Sequence, residues 1–138
     1  MGKTLLVPVD GSPQSEAAVA FAAAEWPAAD LHALHVIDPV ESGYGAGRMA
    51  TGGEQWYEEA IERAETYFER ASDAADRELE TTTEVGPPAS TIVDVAETID
   101  ADLVVMGSHG REGLSRLLLG SVAEHVVRES PVPVTVVR

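Results

Sequence analysis

The stretch VVMGSHGREGLSRLLLGSV, residues 104–122, places an apolar run, a glycine-rich loop and the start of a helix in direct succession. The apolar run ends at Gly107, Gly110 follows within the loop, and Gly120-Ser121 opens the next helical segment. Glycines between a strand and a helix let backbone approach a phosphate closely, and the amino terminus of the helix supplies N–H donors. The alternative is architectural, with glycines that only permit bends and close packing. The spacing alone leaves both interpretations open.

Strand-like and helical segments alternate along the rest of the sequence. Strands are predicted at 4–10, 30–38, 81–86, 102–107 and 132–138, and helices at 12–26, 54–80, 87–99 and 121–130. The segment 39–53 contains five glycines without periodicity and is predicted to be a flexible loop. Alternating strands and helices favour parallel strands joined by right-handed crossovers. We therefore expect one α/β domain, residues 1–138, with an open five-stranded parallel sheet and helices on both faces.

The predicted elements also differ in where they should lie. The nearly all-apolar strand 102–107 is expected to be central, whereas the polar strand 81–86 indicates an edge. Pro133 in the last strand indicates either an edge or the start of a strand. Helical spacing assigns one face of helix 12–26 to Ala17, Ala18, Phe21 and Ala24. The same spacing assigns the buried face of helix 54–80 to Tyr57, Ile61, Ala64, Phe68, Ala71 and Ala75.

Two of the predicted strands end in polar or glycine signals, PVDGS at 8–12 and MGSHG at 106–110. Ligands of open α/β sheets bind at the carboxyl ends of the strands, where the strand order reverses. Asp10 is therefore a candidate ligand for Mg²⁺, an ion that keeps several waters and borrows phosphate oxygens. The alternative is a turn residue that bonds its own backbone. For His109 the alternatives are contact with phosphate, a role as an acid, or a solvated loop residue. His32 and His35 are three apart in a strand, so they point to opposite faces and are expected to be structural.

The composition is strongly acidic, with 24 Asp and Glu against 9 Lys and Arg and a net charge of −15. Such a chain repels nucleic acid, so we expect no DNA or RNA binding. The acidic residues are spread over the predicted helices, which favours a protein built for molar intracellular salt, as in a halophile. An ordinary acidic cytosolic protein is the alternative. The absence of cysteine excludes disulfides, thiol catalysis and cysteine-ligated metals.

The sequence has no segment with the pattern of a signal peptide. Its apolar runs are all shorter than the ~20 residues that a membrane helix needs. We therefore expect a cytoplasmic protein without a membrane partner.

The glycine pattern, Gly107-x2-Gly110-x9-Gly120-Ser121, resembles the motif of the ATP-binding branch of the universal stress protein family. The resemblance extends to LLVPVDGSPQSEAAVAFA near the start of the chain and to ADLVVMGSHGREGLSRLLLGSVAEHVVRESPVPVTVVR at its end. Residues 39–80 resemble the family only in the general character of their amino acids and not in specific residues. The resemblance implies a Rossmann-like sheet with the strand order 3-2-1-4-5, and a homodimer paired through the last strand, here Val132–Val137.

The resemblance also implies a nucleotide site. Asp10 would lie near the ribose, the phosphates or Mg²⁺, and the backbone of Val36 would face adenine. The residues that border the nucleotide or form its floor would be Pro8, Val9, Asp10, Val36, Met106, Gly107 and Ser108. The residues that surround the phosphates and ribose would be Gly110, Arg111, Gly120, Ser121 and Val122.

The function implied is that of an ATP-binding stress-response or signalling module in which the nucleotide acts as a switch. No residue pattern provides a dedicated general base, so any ATP hydrolysis is expected to be slow and to depend on Asp10 and Mg²⁺. Two alternatives remain open: a slow Mg²⁺-dependent ATP hydrolase, and a dimeric interaction or chaperone-like module whose glycine loop is architectural. Trp56 and Tyr57, at the start of helix 54–80, are candidates for burial against the glycine-rich loop 39–53.

Overall fold

The computed structural model describes residues 2–40, 49–108 and 119–138. Strands and helices alternate through these ranges as the sequence predicts. The elements are β1 (Thr4–Pro8), α1 (Pro13–Glu25), β2 (Asp30–Ile37), α2 (Met49–Ala75), β3 (Glu80–Val85), α3 (Pro88–Thr98), β4 (Leu103–Gly107), α4 (Ser121–Glu129) and β5 (Val134–Val137).

The five strands form one parallel sheet in the order β3-β2-β1-β4-β5. The predicted fold class and strand order are confirmed. The polar β3 and the proline-led β5 lie at the two edges, and the apolar β4 lies inside, as expected. The chain order reverses between β1 and β4, which pair directly with Leu5 opposite Leu103. Their carboxyl ends therefore lie together at the switch point of the sheet.

Successive side chains of β1 point to opposite faces of the sheet and pack into two separate hydrophobic cores, one on each face. Leu5 and Val7 pack with α1 and α2, whereas Leu6 packs with α3 and α4. The side chains of these three β1 residues are at most 1% exposed. Helices thus cover both faces, as predicted. Within the described ranges, no helix combines the length and the apolar character needed to cross a membrane.

The second helix differs from the prediction at both ends. It begins at Met49, so residues 49–53 of the predicted loop are helical, and it ends at Ala75 instead of residue 80. Glycine inside a helix costs only about 1 kcal/mol relative to alanine, so the Gly52-Gly53 pair does not prevent helix formation. Asp76 ends the helix in the left-handed region, with φ of 55°. Residues 41–48 of the predicted loop lie outside the described ranges.

The buried faces of two helices were predicted incorrectly in part. In α2, Tyr57 is 45% exposed, and its neighbour Trp56 is buried instead, packed with Ala60 and with Ile37, the last residue of β2. In α1, Ala17, Phe21 and Ala24 are exposed, so only Ala18 of the predicted face is buried. The residues of α1 that are buried are Ser15, Ala18, Val19 and Ala22.

Candidate functional site

The turn that follows β1 carries Asp10 to the carboxyl edge of the sheet, beside the end of β4. The carboxylate Oδ1 of Asp10 accepts a hydrogen bond from the backbone N–H of Ser12 at 2.9 Å. The N–H of Asp10 in turn donates to Oγ of Ser15 at 3.3 Å. Asp10 therefore does bond its own turn, as the alternative interpretation expects. This bond fixes the carboxylate at the switch point, where a ligand of an open α/β sheet would lie.

Ser12 ends this turn and is the N-cap of α1. Its Oγ accepts the N–H of Ser15 at 3.1 Å, which satisfies one of the free donors at the amino terminus of the helix. Ser12 and Ser15 are both buried. The turn from Val9 to Ser12, which we call the Asp10 turn, is thus tied to the first turn of α1 by side-chain hydrogen bonds.

The amino terminus of α4 is joined to the end of β4 by a backbone hydrogen bond. The N–H of Gly120 donates to the carbonyl oxygen of Ser108 at 2.7 Å, and the N–H of Ser108 donates to Val137 of β5 at 2.9 Å. Gly120 is the N-cap of α4, and as a glycine it offers no side chain to the free N–H groups of the first helical turn. The positive end of the α4 dipole therefore lies at the same sheet edge as Asp10. Ser121 and Val122 stand in its first turn.

Gly107 has a packing role that is independent of any ligand. A Cβ atom at this position would lie 2.9 Å from Cβ of Gln14 and 3.0 Å from its backbone carbon and oxygen. Such distances are shorter than real Cβ atoms tolerate, so α1 can approach β4 this closely only because residue 107 is glycine. The architectural interpretation therefore holds for this first glycine of the motif.

Val36 lies near the carboxyl end of β2, on the same edge. Pro8 pairs with Leu34 of β2, and the N–H of Val9 donates to the carbonyl of Leu34 at 2.8 Å. Val36 stands two residues beyond Leu34 and pairs with Glu84 of β3. Its side chain is half-buried against the core on the α3 and α4 face. The structure thus brings together the ends of three strands, β2, β1 and β4, and the start of α4.

The whole chain, residues 1–138, matches the Universal stress protein family. The protein belongs to this family. A universal stress protein of Thermus aquaticus is 37% identical over 148 residues, which cover 100% of both chains. A solved universal stress protein of Archaeoglobus fulgidus in complex with dAMP has a TM-score of 0.71 and 26% identity, over 100% of this chain and 98% of its own. A solved universal stress protein in complex with cAMP has a TM-score of 0.67 and 26% identity, over 99% of this chain and 97% of its own.

The site residues expected from the family motif divide into two groups. The described ones lie at or beside this edge: Pro8, Val9, Asp10, Val36, Met106, Gly107, Ser108, Gly120, Ser121 and Val122. Gly110 and Arg111 lie outside the described residues, as does His109. Over the described ranges, no group of three or more His, Asp or Glu is arranged to hold a metal ion.

The two strand histidines are hydrogen-bonded within the sheet. Nε2 of His32 lies 2.6 Å from Oγ1 of Thr82, and Nδ1 of His35 lies 2.8 Å from the carbonyl oxygen of Val9. Because a carbonyl oxygen only accepts, Nδ1 of His35 carries the hydrogen. Both residues thus have structural bonds, but His35 supports the Asp10 turn directly. Sequence reasoning missed this contact, as it missed those of Tyr67 and Arg70 with Gly11.

Proposed function

We propose that this universal stress protein binds an adenine nucleotide, with ATP as the intended ligand, at the edge formed by β1, β4 and the start of α4. The observation that carries the proposal is the 2.7 Å hydrogen bond from Gly120 N–H to the Ser108 carbonyl. It ties the amino terminus of α4 to the end of β4, at the sheet edge to which β1 also leads Asp10. Backbone N–H groups and the helix dipole favour a phosphate at such a position. The dAMP and cAMP complexes of two family members support the choice of an adenine nucleotide.

The phosphates would lie over the first turn of α4. Its leading N–H groups and the hydroxyl of Ser121 are hydrogen-bond donors for phosphate oxygens. Gly110 and Arg111, placed by the motif alone, would close the site from the loop before α4. Pro8 and Val9 would border the sugar, and the backbone of Val36 would face the base. Met106, Gly107 and Ser108 would form the floor.

Mg²⁺ fits this site as a shared ion and not as a resident one. Asp10 offers a carboxylate at the edge, and the described residues contain no cluster of three or more His, Asp or Glu that could hold a metal ion by itself. Mg²⁺ characteristically combines one or two carboxylates with waters and substrate phosphates. Asp10 would hold the ion, whose positive charge would offset the repulsion between a polyphosphate and a chain of net charge −15.

In the cell, we propose a nucleotide-dependent switch module of one domain, located in the cytoplasm and acting as a homodimer. β5 is an edge strand, and its four residues are all half-exposed, which leaves an edge that a second copy can pair with. The bound nucleotide would act as a signal or a structural element. Hydrolysis, if present, would be slow and would require Asp10 with Mg²⁺.

Equilibrium binding of ATP with Mg²⁺, in molar potassium chloride, tests the proposal. Wild type is compared with Gly110→Val, which adds bulk at a glycine that the motif specifies, and with Gly113→Val, which adds the same bulk at a position that the motif leaves open. We expect wild type and Gly113→Val to bind, and Gly110→Val to lose binding while its circular dichroism stays native. Equal binding by Gly110→Val, or no binding by wild type, would refute the proposal and favour an architectural loop in a protein-interaction module.

A further inference from the structure

Three side chains contact the backbone of the Asp10 turn: His35 of β2, and Tyr67 and Arg70 of α2. His35 of β2 donates from Nδ1 to the carbonyl of Val9, and Arg70 of α2 donates from Nη2 to the carbonyl of Gly11 at 3.2 Å. These two carbonyls flank Asp10 in the chain. The peptide groups on both sides of the candidate Mg²⁺ ligand are therefore fixed by side chains that lie behind the turn.

Gly11 and Tyr67 fit together so closely that the backbone of the turn has little freedom. Gly11 has φ of +82°, and a Cβ atom there would lie 2.5 Å from Cε1 of Tyr67. The Tyr67 ring also meets the ring of His35 edge-on, with 5.1 Å between ring centroids. His35, Tyr67 and Arg70 thus form one continuous support, which we call the turn support.

Arg70 contacts both Gly11 and Glu16 through one nitrogen atom, Nη2. Nη2 bonds the carbonyl of Gly11 and lies 2.6 Å from Oε2 of Glu16, in the first turn of α1. The guanidinium thereby ties the end of the Asp10 turn to α1 and α2 at once. Its side chain is 47% exposed, so solvent screening keeps the contribution of this ion pair to stability small. Its larger consequence is geometric, because it fixes where the turn lies.

We propose that Arg70 is a positioning residue that sets the nucleotide affinity of this site by pre-organising the Asp10 turn, without touching the nucleotide. This inference rests on the proposed function. When Arg70 is removed, the Gly11 carbonyl exchanges its partner for water and the turn gains freedom. Binding must then order the turn again, and this lost pre-organisation weakens affinity. Mutation of outer-shell residues that orient metal ligands typically lowers metal affinity or activity by about 10–100-fold, which gives the scale of the effect for a residue that orients the turn around the ligand.

The segment just after α2 provides a matched control. Arg77 lies two residues beyond Ala75, where α2 ends, and also donates to backbone carbonyls, those of Pro27 at 2.7 Å and of Ala29. These carbonyls lie just before β2 begins at Asp30. They are thus at the amino-terminal end of β2, opposite to the end that carries the site. Arg77 therefore fixes the carboxyl end of α2 to backbone, as Arg70 fixes α2 itself, but away from the Asp10 turn.

The test uses the full chain and three variants, Arg70→Gln, Arg70→Lys and Arg77→Gln. Calorimetric titration with ATP and Mg²⁺ gives the affinity, and urea unfolding of the same samples gives the stability and the folded fraction. We expect Arg70→Gln to weaken binding about tenfold or more. We expect Arg70→Lys to recover much of this loss, since one ammonium nitrogen can reach both partners that Nη2 contacts. Arg77→Gln should lower stability and leave affinity at the wild-type value.

The outcomes separate this inference from the function on which it rests. If wild type does not bind ATP, the proposed function fails before any variant is compared, and the inference fails with it. If wild type binds and Arg70→Gln binds equally well, the turn support is only structural and the inference alone is overturned. An equal loss of affinity in Arg77→Gln would also overturn it, because general loosening of α2 would then explain both variants.

Discussion

Gly107 at the end of β4 lies so close to Gln14 of α1 that a methyl group at residue 107 would contact the Gln14 backbone at 3.0 Å. The first glycine of the motif is thus needed by the packing of a helix against the sheet. A protein that bound no nucleotide would still need it. The presence of Gly107 in the sequence therefore supports the fold, whereas the case for a ligand depends on the later glycines and on Asp10.

The contact between Gly107 and Gln14 predicts that Gly107→Ala destabilises the protein. Because the added methyl group meets backbone and not a flexible side-chain end, α1 or β4 must shift, at a cost of about 1–3 kcal/mol. Urea unfolding monitored by circular dichroism measures this loss. An unchanged free energy of unfolding would show that α1 moves away from β4 without cost.

The same substitution is expected to have the opposite sign at Gly53. This residue lies inside α2, which begins at Met49, and its φ is not positive. Alanine there lowers the backbone entropy of the unfolded chain and is expected to stabilise the protein by about 0.5–1 kcal/mol. The urea midpoint of Gly53→Ala should therefore rise. A fall in this midpoint would contradict a helix that includes residue 53.

The sequence predicted those features that local chemistry determines. The turn signals placed the end of β4 at Gly107, as found, and the end of β1 within two residues of Pro8, because polar and glycine residues disfavour the continuation of a buried strand. The faces of the helices were harder to assign. Alanines lie on several sides of α1, so its hydrophobic pattern selects no single stripe, and Ala17 and Ala24 are exposed. In α2, Trp56 is buried in place of Tyr57 because it packs against Ile37, the last residue of β2.

The turn support could not be predicted, since it depends on tertiary register. Val9 and His35 are separated by 26 residues, and Gly11 and Arg70 by 59. No spacing rule links residues so far apart. The one available signal was Gly11 itself, because glycine after an aspartate indicates a positive φ and therefore backbone that another element can approach closely.

Asp10→Asn separates the structural task of Asp10 from its proposed task in binding. Asparagine keeps an oxygen that accepts the Ser12 N–H, so the free energy of unfolding should change little. It removes the negative charge, so the gain in ATP affinity that Mg²⁺ gives to wild type should disappear. Titrations with and without Mg²⁺ measure this gain.

Asp10→Ala provides the comparison, because it loses both the charge and the acceptor. It should abolish the Mg²⁺ effect and also lower stability by about 1 kcal/mol. Retention of the full Mg²⁺ effect in Asp10→Asn would refute the assignment of the ion to this carboxylate.

The net charge of −15 predicts a strong effect of salt on stability. Raising potassium chloride from about 0.1 M to about 1 M shortens the Debye length from about 10 Å to about 3 Å, which screens repulsion between the acidic helices. The midpoint of thermal unfolding should rise with salt over this range, as expected for a halophilic protein. A midpoint that stays constant or falls would favour an ordinary acidic protein of dilute cytosol.

The free edge of β5 allows the proposed homodimer to be tested without unfolding the sheet. The carbonyls of Pro133 and Val137 accept hydrogen bonds from Val104 and Ser108, so these alternate residues of the strand face β4. Val136 lies between two such positions and presents its N–H to the outer edge. Val136→Pro removes that donor while the bonds to β4 remain. Sedimentation velocity should then show a dimer for wild type and a folded monomer for the variant. A dimer that survives Val136→Pro would place the interface elsewhere, and a monomeric wild type would refute the homodimer itself.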